Sequence, residues 1–246
     1  LLNFKIKKPK PEDKFELITR TTAGSNNRFT NFTSVSSSNE KFSYYGYVNY
    51  KNGDGFRPNS EFESINTFQN FNYNLNEKSK ITGEITYMEY LAHQAGGLSD
   101  FMFANDPFQS NRERNWFEIK WFLYNLKYLL EISKDSSFSF SFFGLDAKRN
   151  SLGFRTNRVD QIDYGEERDL IKGNFKNFGF ESRYLSNYSF FNTKSYLLLG
   201  AKYYNSYSQS IQGPGSNSKD ADFNFDYVSF PNYVNQSEYS LSLIHI

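Results

Sequence analysis

Arg57, Arg112, Arg114, Arg149, Arg155 and Arg158 fall in or beside segments that read as irregular, and Gln109 and Asn111 stand just ahead of Arg112. A guanidinium group is a planar, permanently charged fork that grips carboxylates through paired, charge-assisted hydrogen bonds. Arginines gathered at one end of a fold, with amides adding neutral hydrogen bonds, could therefore hold a small anion. The plainer alternative is that they pair with nearby acids such as Glu113, Asp106 and Asp160 and only hold loops together. Most loop charges do structural or solvating work.

Little else in the chain points to chemistry. The histidines, His93 and His245, are far apart, and no Gly-x-Ser-x-Gly elbow marks a nucleophile. Neither a phosphate-cradling Gly-x-x-x-x-Gly-Lys-Ser/Thr run nor a His-x-x-x-His pair is present. The expectation is a protein that is not an enzyme. Asp220, Asp222 and Asp226 form an acidic cluster without the calcium-loop pattern, so no metal or cofactor is expected. The absence of cysteine removes thiol catalysis, disulfides and cysteine-ligated metals. With 28 basic and 27 acidic residues the net charge is +1, which argues against nucleic acid as a partner.

The elements that must position these residues are strands. The chain is 20% aromatic, with 27 Phe and 19 Tyr, yet only 38% hydrophobic, with a mean hydropathy of −0.70. So few aliphatic residues make a soluble core hard to build, and so many aromatics argue against disorder. A membrane β-barrel reconciles the two, because only every second residue faces lipid and aromatics gather at the interfaces. No apolar run approaches the ~18–20 residues of a membrane helix.

Period-two patterning predicts strands over 14–22, 28–37, 41–51, 61–75, 80–91, 116–131, 137–146, 175–185 and 195–207, with a last one from Ser237. Phe138, Phe140 and Phe142 alternate with Ser137, Ser139 and Ser141. Phe138, Phe140, Phe142, Leu197 and Leu199 are expected to face lipid, and Glu84, Glu181 and Arg183 a wet lumen. Long loops are expected at 93–116, 149–173 and 209–236, and tight turns at 38–40, 76–78, 134–136 and 187–193. After the first hairpin the two kinds of connection fall at opposite ends. Outer-membrane barrels place short turns in the periplasm and long loops outside. A soluble sandwich or propeller is the alternative, although sandwich strands are usually only about 5–6 residues long.

Three runs carry a resemblance. They are Asn52–Ser60, then Gly96-Gly97-Leu98 with Asp106-Pro107 and Gln109-Ser110-Asn111-Arg112-x-Arg114-Asn115-Trp116-Phe117, then Phe143–Phe154. In order and spacing they resemble the barrel of TonB-dependent outer-membrane receptors, specifically the ferric citrate type. The resemblance covers nearly the whole chain. Asn3–Pro9 is similar to the end of the family's plug domain. The resemblance therefore implies an all-β fold: an antiparallel transmembrane β-barrel fragment of about ten of roughly 22 strands, with short periplasmic turns and long extracellular loops. Residues 1–12 are the expected last plug residues and linker, and residues 13–246 the N-terminal part of the barrel.

The function so implied is uptake of a ferric chelate, ferric citrate or a similar siderophore, across the outer membrane. The partners implied are the TonB complex, acting through plug and TonB box, the chelate, and outer-membrane lipid. Arg57, Gln109, Asn111, Arg112, Arg114, Arg149 and Arg155 are the expected ligand contacts. Uptake of another nutrient, a passive porin, a surface-binding barrel and a soluble carbohydrate-binding β protein are the competing readings. Leu241–Ile246 lacks the aromatic end usual for such barrels, and is expected to stem partly from a broken reading frame.

Overall fold

A computed structural model describes residues 15–227 apart from 157, and the backbone of 230–245. The strands are β1 (Glu16–Ala23), β2 (Phe29–Ser38), β3 (Phe42–Gly53), β4 (Phe62–Asn76), β5 (Ser79–His93), β6 (Trp116–Glu131), β7 (Ser136–Gly153), β8 (Arg168–Phe190), β9 (Thr193–Gly215) and β10 (Phe230–His245). They form one 10-stranded sheet in sequence order, every neighbouring pair antiparallel. This is the meander that short connections dictate, because tight turns join only antiparallel neighbours. The plug-like segment expected at 1–12 lies outside the described residues.

One end of the sheet carries the turns 39–41, 77–78, 132–135 and 191–192. The other carries L1 (24–28), L2 (54–61), L3 (94–115), L4 (154–167) and L5 (216–227 among the described residues). The expected segregation of turns and loops therefore holds, and the first hairpin obeys it too. The 191–192 turn puts Phe191 and Asn192 at φ 48° and 60°, the left-handed pair that matches strand twist in a two-residue hairpin.

The predicted bounds match closely for β2 to β6 and fall short for the longest strands. β7 runs on to Gly153, β8 starts at Arg168, β9 extends to Gly215 and β10 starts at Phe230. Arg149, expected in a loop, is therefore a strand residue. L3 also contains an unforeseen helix, α1 (Asp100–Asn105), whose N-cap Ser99 accepts from the Met102 N–H.

The two faces of the sheet differ in residue character. On one face, registers align Tyr73, Ile81, Tyr128 and Phe140, and one step higher Phe71, Gly83, Leu126, Phe142, Phe180 and Tyr203. Leu130 to Phe122 follows the same face along β6, about 26 Å at ~3.3 Å per residue. Phe140, Phe142 and Leu199 are 38%, 38% and 42% exposed, while Phe138 and Leu197 are half-exposed. None packs into a central core, as the barrel reading requires.

The opposite face buries small polar groups, among them Ser34, Ser36, Asn70 and Asn72. Asn70 donates to Glu84 (3.0 Å), Asn72 to Asn70 (2.8 Å), Thr82 to Asn72 (2.9 Å) and Asn125 to Glu84 (3.4 Å). Glu181 and Arg183 pair on this face as well. Exposed rings on one side and a buried polar ladder on the other invert the layout of a soluble protein.

Glycines let rings lie flat on the apolar face. A Cβ at Gly83 would run into the Phe71 ring, and one at Gly144 into Tyr124.

Candidate functional site

At the loop end the chain is laced into one assembly with L3 at its centre. L1 joins L2 through the Asp54 N–H to Asn26 O (2.9 Å) and Asn27 to Asp54 (2.6 Å). L2 joins L3 through Arg57 to the Gly96 carbonyl (2.5 Å) and Asn59 to Ser110 (2.9 Å). Gly96 sits at φ +79°, and a Cβ there would strike Asn111 and Arg112, so only glycine fits without strain. His93, at the end of β5, clasps the same two loops. Its Nδ1 lies 2.5 Å from Glu61, its Nε2 lies 2.8 Å from the Glu113 carbonyl, and its ring stacks on Trp116 at 4.1 Å.

Arg112 and Arg114 bind L3 to L4. Arg112 is buried and donates to the carbonyls of Asn111 (2.6 Å), Gln161 (3.2 Å) and Val159 (3.2 Å) and to Thr156 Oγ1 (3.1 Å). Asn111 also donates to Val159 O (2.6 Å). Arg114, equally buried, grips Asp163 bidentately, Nε–Oδ2 2.9 Å and Nη2–Oδ1 2.5 Å. Its Nη1 reaches the carbonyls of Glu166 (2.8 Å) and Asn217 (3.0 Å), the latter in L5. Burial pushes the Asp163 carboxyl up. Hydrogen bonds from Arg114 and the Gly165 N–H, and the charges of Arg114 and Arg112, outweigh it and leave Asp163 below the usual carboxylate value.

Arg168, the first residue of β8, went unnoticed in the sequence, and it is the most completely enclosed cation among the described residues, at 1% exposure. Nε donates to Ser216 O (2.7 Å), Nη1 to the carbonyls of Arg114 (3.1 Å) and Asp220 (2.8 Å), and Nη2 to the hydroxyls of Ser216 (3.0 Å) and Ser218 (3.1 Å). Every N–H of the guanidinium has an acceptor. Burial and the neighbouring Arg114 lower its affinity for the proton, while Asp222, Asp220 and Asp226 oppose them. The acidic cluster of the sequence thus offsets a buried arginine. The Ser216-Asn217-Ser218 string after Gly215 was the available signal, since short polar residues there supply the cradle.

L5 lies over the upper part of the apolar face. Leu152 and Leu170, on that face, are 1% and 0% exposed and lie beside Gly215 of β9, and Trp116 Nε1 donates to Lys219 O (2.7 Å). A cleft of about 600 Å³ opens between L3, L4 and L5, lined by Met102, Arg112, Asp163, Tyr164 and Lys219. One of about 570 Å³ lies at the turn end, beside Lys41, Lys78 and Leu129.

The expected contact residues thus divide. Arg57, Asn111, Arg112 and Arg114 spend donors on loop-to-loop bonds, and Gln109 donates within L3 to Met102 O (2.6 Å) and Asp106 O (2.9 Å). Arg149 and Arg155 are exposed. Arg149 lies on the polar face, paired across to Ile119 and Gly173, and has no hydrogen-bond or ion-pair partner among the described residues. Arg155 reaches back to Ser151 Oγ (3.0 Å), two residues from Arg149 on that face. Both guanidinium groups are solvent-exposed.

No protein-family model matches the sequence, and no curated protein sequence is similar to it. Solved structures are similar in fold. The ferric citrate transporter FecA in its unliganded form superposes with a TM-score of 0.73 at 15% identity, covering 94% of this chain and 34% of that one. The ferripyoverdine receptor of the outer membrane of Pseudomonas aeruginosa gives 0.69 at 11%, covering 96% and 35%. The RagAB peptide importer gives 0.55 at 14%, covering 89% and 29%. The chain spans about a third of the length of these proteins. Its fold is that of part of the transmembrane β-barrel of TonB-dependent outer-membrane receptors.

Proposed function

We propose that this chain is part of the barrel wall and extracellular loop cup of an outer-membrane receptor that takes up a ferric chelate, ferric citrate or a similar siderophore, with energy from the TonB complex. The observation that supports this most is the superposition on a ferric citrate transporter along 94% of the chain. Beside it stand two exposed arginines near the loop end, Arg149 on the polar face of β7 and Arg155 in L4. In this reading residues 1–12 close the plug domain, residues 13–246 begin the barrel, and TonB acts through the plug and TonB box.

Arg149 and Arg155 are the proposed contacts to the carboxylates of the chelate, since a desolvated carboxylate needs charged donors that are not already used. Arg57, Gln109, Asn111, Arg112 and Arg114 then act mainly by fixing the shape of the cup that the ligand enters. Titrating the complete receptor with ferric citrate and with unrelated ferric chelates tests the reading. Saturable binding of ferric citrate, weakened ~10-fold or more by Arg149→Ala with Arg155→Ala, is expected, because each lost charge-assisted pair is worth about 1.5–3 kcal/mol. No detectable binding alongside tight binding of another chelate rejects citrate. The similarity to a peptide importer favours a second reading, TonB-dependent uptake of another nutrient. Binding of no iron chelate at all would leave that one standing.

A further inference from the structure

We infer that His93 is a positioning residue whose ring must carry a proton on both nitrogens to hold L2 against L3. Each nitrogen faces an oxygen. Nδ1 lies 2.5 Å from a carboxylate oxygen of Glu61 in L2, and Nε2 lies 2.8 Å from the backbone carbonyl of Glu113 in L3. Neither oxygen has a proton to give, since a carbonyl and an ionised carboxylate only accept. A neutral imidazole has one N–H and one bare nitrogen, so it serves only one of the two loops. The imidazolium serves both.

The surroundings suit a cation. The His93 side chain is 6% exposed and lies flat on Trp116, with centroids 4.1 Å apart and planes 8° apart, and an indole face attracts positive charge. The charged neighbours are mostly acids that are occupied elsewhere. Asp54 and Glu63 line a recess with Glu61 and Trp116, but Asp54 takes a bond from Asn27 (2.6 Å) and Glu63 one from Tyr50 (3.0 Å). Glu118 of β6, diagonal to His93, accepts from Asn150 (2.7 Å) and stands 3.3 Å from Lys120. In L3 the Glu113 carboxylate takes Lys219 of L5 (2.6 Å). Glu61 is left to the ring, its one ion-pair partner among the described residues.

The clasp governs more than its own two contacts. The His93 N–H bonds to Glu61 O (2.9 Å), and Arg57 and Asn59 of L2 reach Gly96 and Ser110 of L3. Ser110 Oγ donates to the Arg112 carbonyl (3.0 Å), and the Arg112 side chain reaches Gln161 in L4, the loop that carries Arg155. Opening one side of the ring therefore frees L2 from the loop that orders the rest of the cup. That such loosening weakens ligand binding rests on the function proposed above.

Imidazoles change charge between about pH 5 and 8, so the test brackets that range. Hydrogen exchange of 54–61 and of the His93 amide is followed in the complete receptor at about pH 5.5 and about pH 8.5, corrected for the intrinsic rate. Protection should fall about 10-fold at the higher pH, as one charge-assisted hydrogen bond is lost. Glu61→Gln is the discriminating variant. Its amide donates to a bare Nδ1 while the Nε2–H still donates to Glu113, so a neutral ring closes the clasp. Glu61→Gln should be protected equally at both pH values, and His93→Ala poorly at both. Ferric citrate is titrated at the same two pH values, each variant against the native receptor at the same pH, which cancels changes in the chelate itself. The native receptor should match Glu61→Gln at the lower pH and bind about 5-fold more weakly at the higher, where fewer molecules hold the competent cup. Native protection that ignores pH, or that changes equally in Glu61→Gln, overturns the two-proton clasp. The expected exchange pattern with an affinity ratio that is the same at both pH values overturns the positioning role. Absence of ferric citrate binding at either pH rejects the proposed ligand instead, and exchange still decides the clasp.

Discussion

Arg168 donates from Nη1 to the backbone carbonyl of Arg114 over 3.1 Å, so two buried arginines from distant segments lock onto each other through a main-chain oxygen. Arg114 meanwhile holds Asp163 in L4 and Asn217 in L5. Three loops therefore depend on the pair. Arg168→Ala strands the carbonyls of Ser216 and Asp220 that it now satisfies. Breaking such a buried charged network by truncation costs about 3 kcal/mol. The loss should be local. Hydrogen exchange across 216–227 is expected to accelerate sharply while the strands keep their protection. Arg168→Lys should fall on the same side, because an ammonium has three donors where the site presents five acceptors.

Asp163 gives the loop assembly an acid limit. Its folded value is depressed by Arg114, the Gly165 N–H and Arg112 in spite of burial. A depressed carboxyl contributes stability in full above its unfolded value, near 3.9, and loses that contribution as pH falls through the folded value. Protection of 154–167 against exchange should hold from neutrality down to about pH 4 and decline below it. Asp163→Asn should show weaker protection at neutral pH and no such decline. Protection that already falls between about pH 7 and pH 5 would assign the dependence to another group.

The glycines beneath the outward rings make a steric prediction. Gly83→Val and Gly144→Val drive a side chain into Phe71 and Tyr124 respectively. Overpacking of this kind costs about 1–3 kcal/mol, so each variant of the complete receptor should unfold at lower urea after reconstitution in vesicles. Gly97→Ala, where a Cβ meets only the Val159 methyls at 3.9 Å, should not move the midpoint.

Adjacent residues on β7 test whether the apolar face meets lipid and the polar face water. Phe142→Arg places a charge on the outward band and should cost about 2–4 kcal/mol near mid-depth. Ser141→Arg points to the polar face, level with Lys127 and Glu181, and should cost less than about 1 kcal/mol. The two substitutions differ by one position in sequence. A similar penalty for both would mean that the faces are not solvated differently.

The strands β4 and β5 were legible because apolar residues alternate with polar ones over much of their length, as at Phe71, Tyr73 and Leu75 against Asn70, Asn72 and Asn74 and at Ile81, Ile85 and Tyr87 against Thr82, Glu84 and Thr86. The upper thirds of β7, β8 and β9 were not legible. Beyond Gly144 and Phe178 both faces carry polar residues, so the period-two hydrophobic signal fades while the hydrogen-bond ladder continues through Gly153–Asp169 and Arg168–Gly215. The residue types at the candidate site were legible and their partners were not. Arg112 and Arg149 look alike in sequence. One is enclosed by carbonyls of L3 and L4, the other stands on an open strand face. That difference is set by contacts more than 40 residues apart along the chain, such as Arg112 with Gln161 (|i−j| = 49), which no local pattern encodes.

Uptake of radiolabelled ferric citrate by cells whose only route for it is the complete receptor tests the central claim most directly. Accumulation should require the receptor, stop when the proton-motive force is discharged or TonB is deleted, and drop with Arg149→Ala plus Arg155→Ala while surface expression is unchanged. Accumulation that persists without TonB or proton-motive force would show a passive pore and contradict the account.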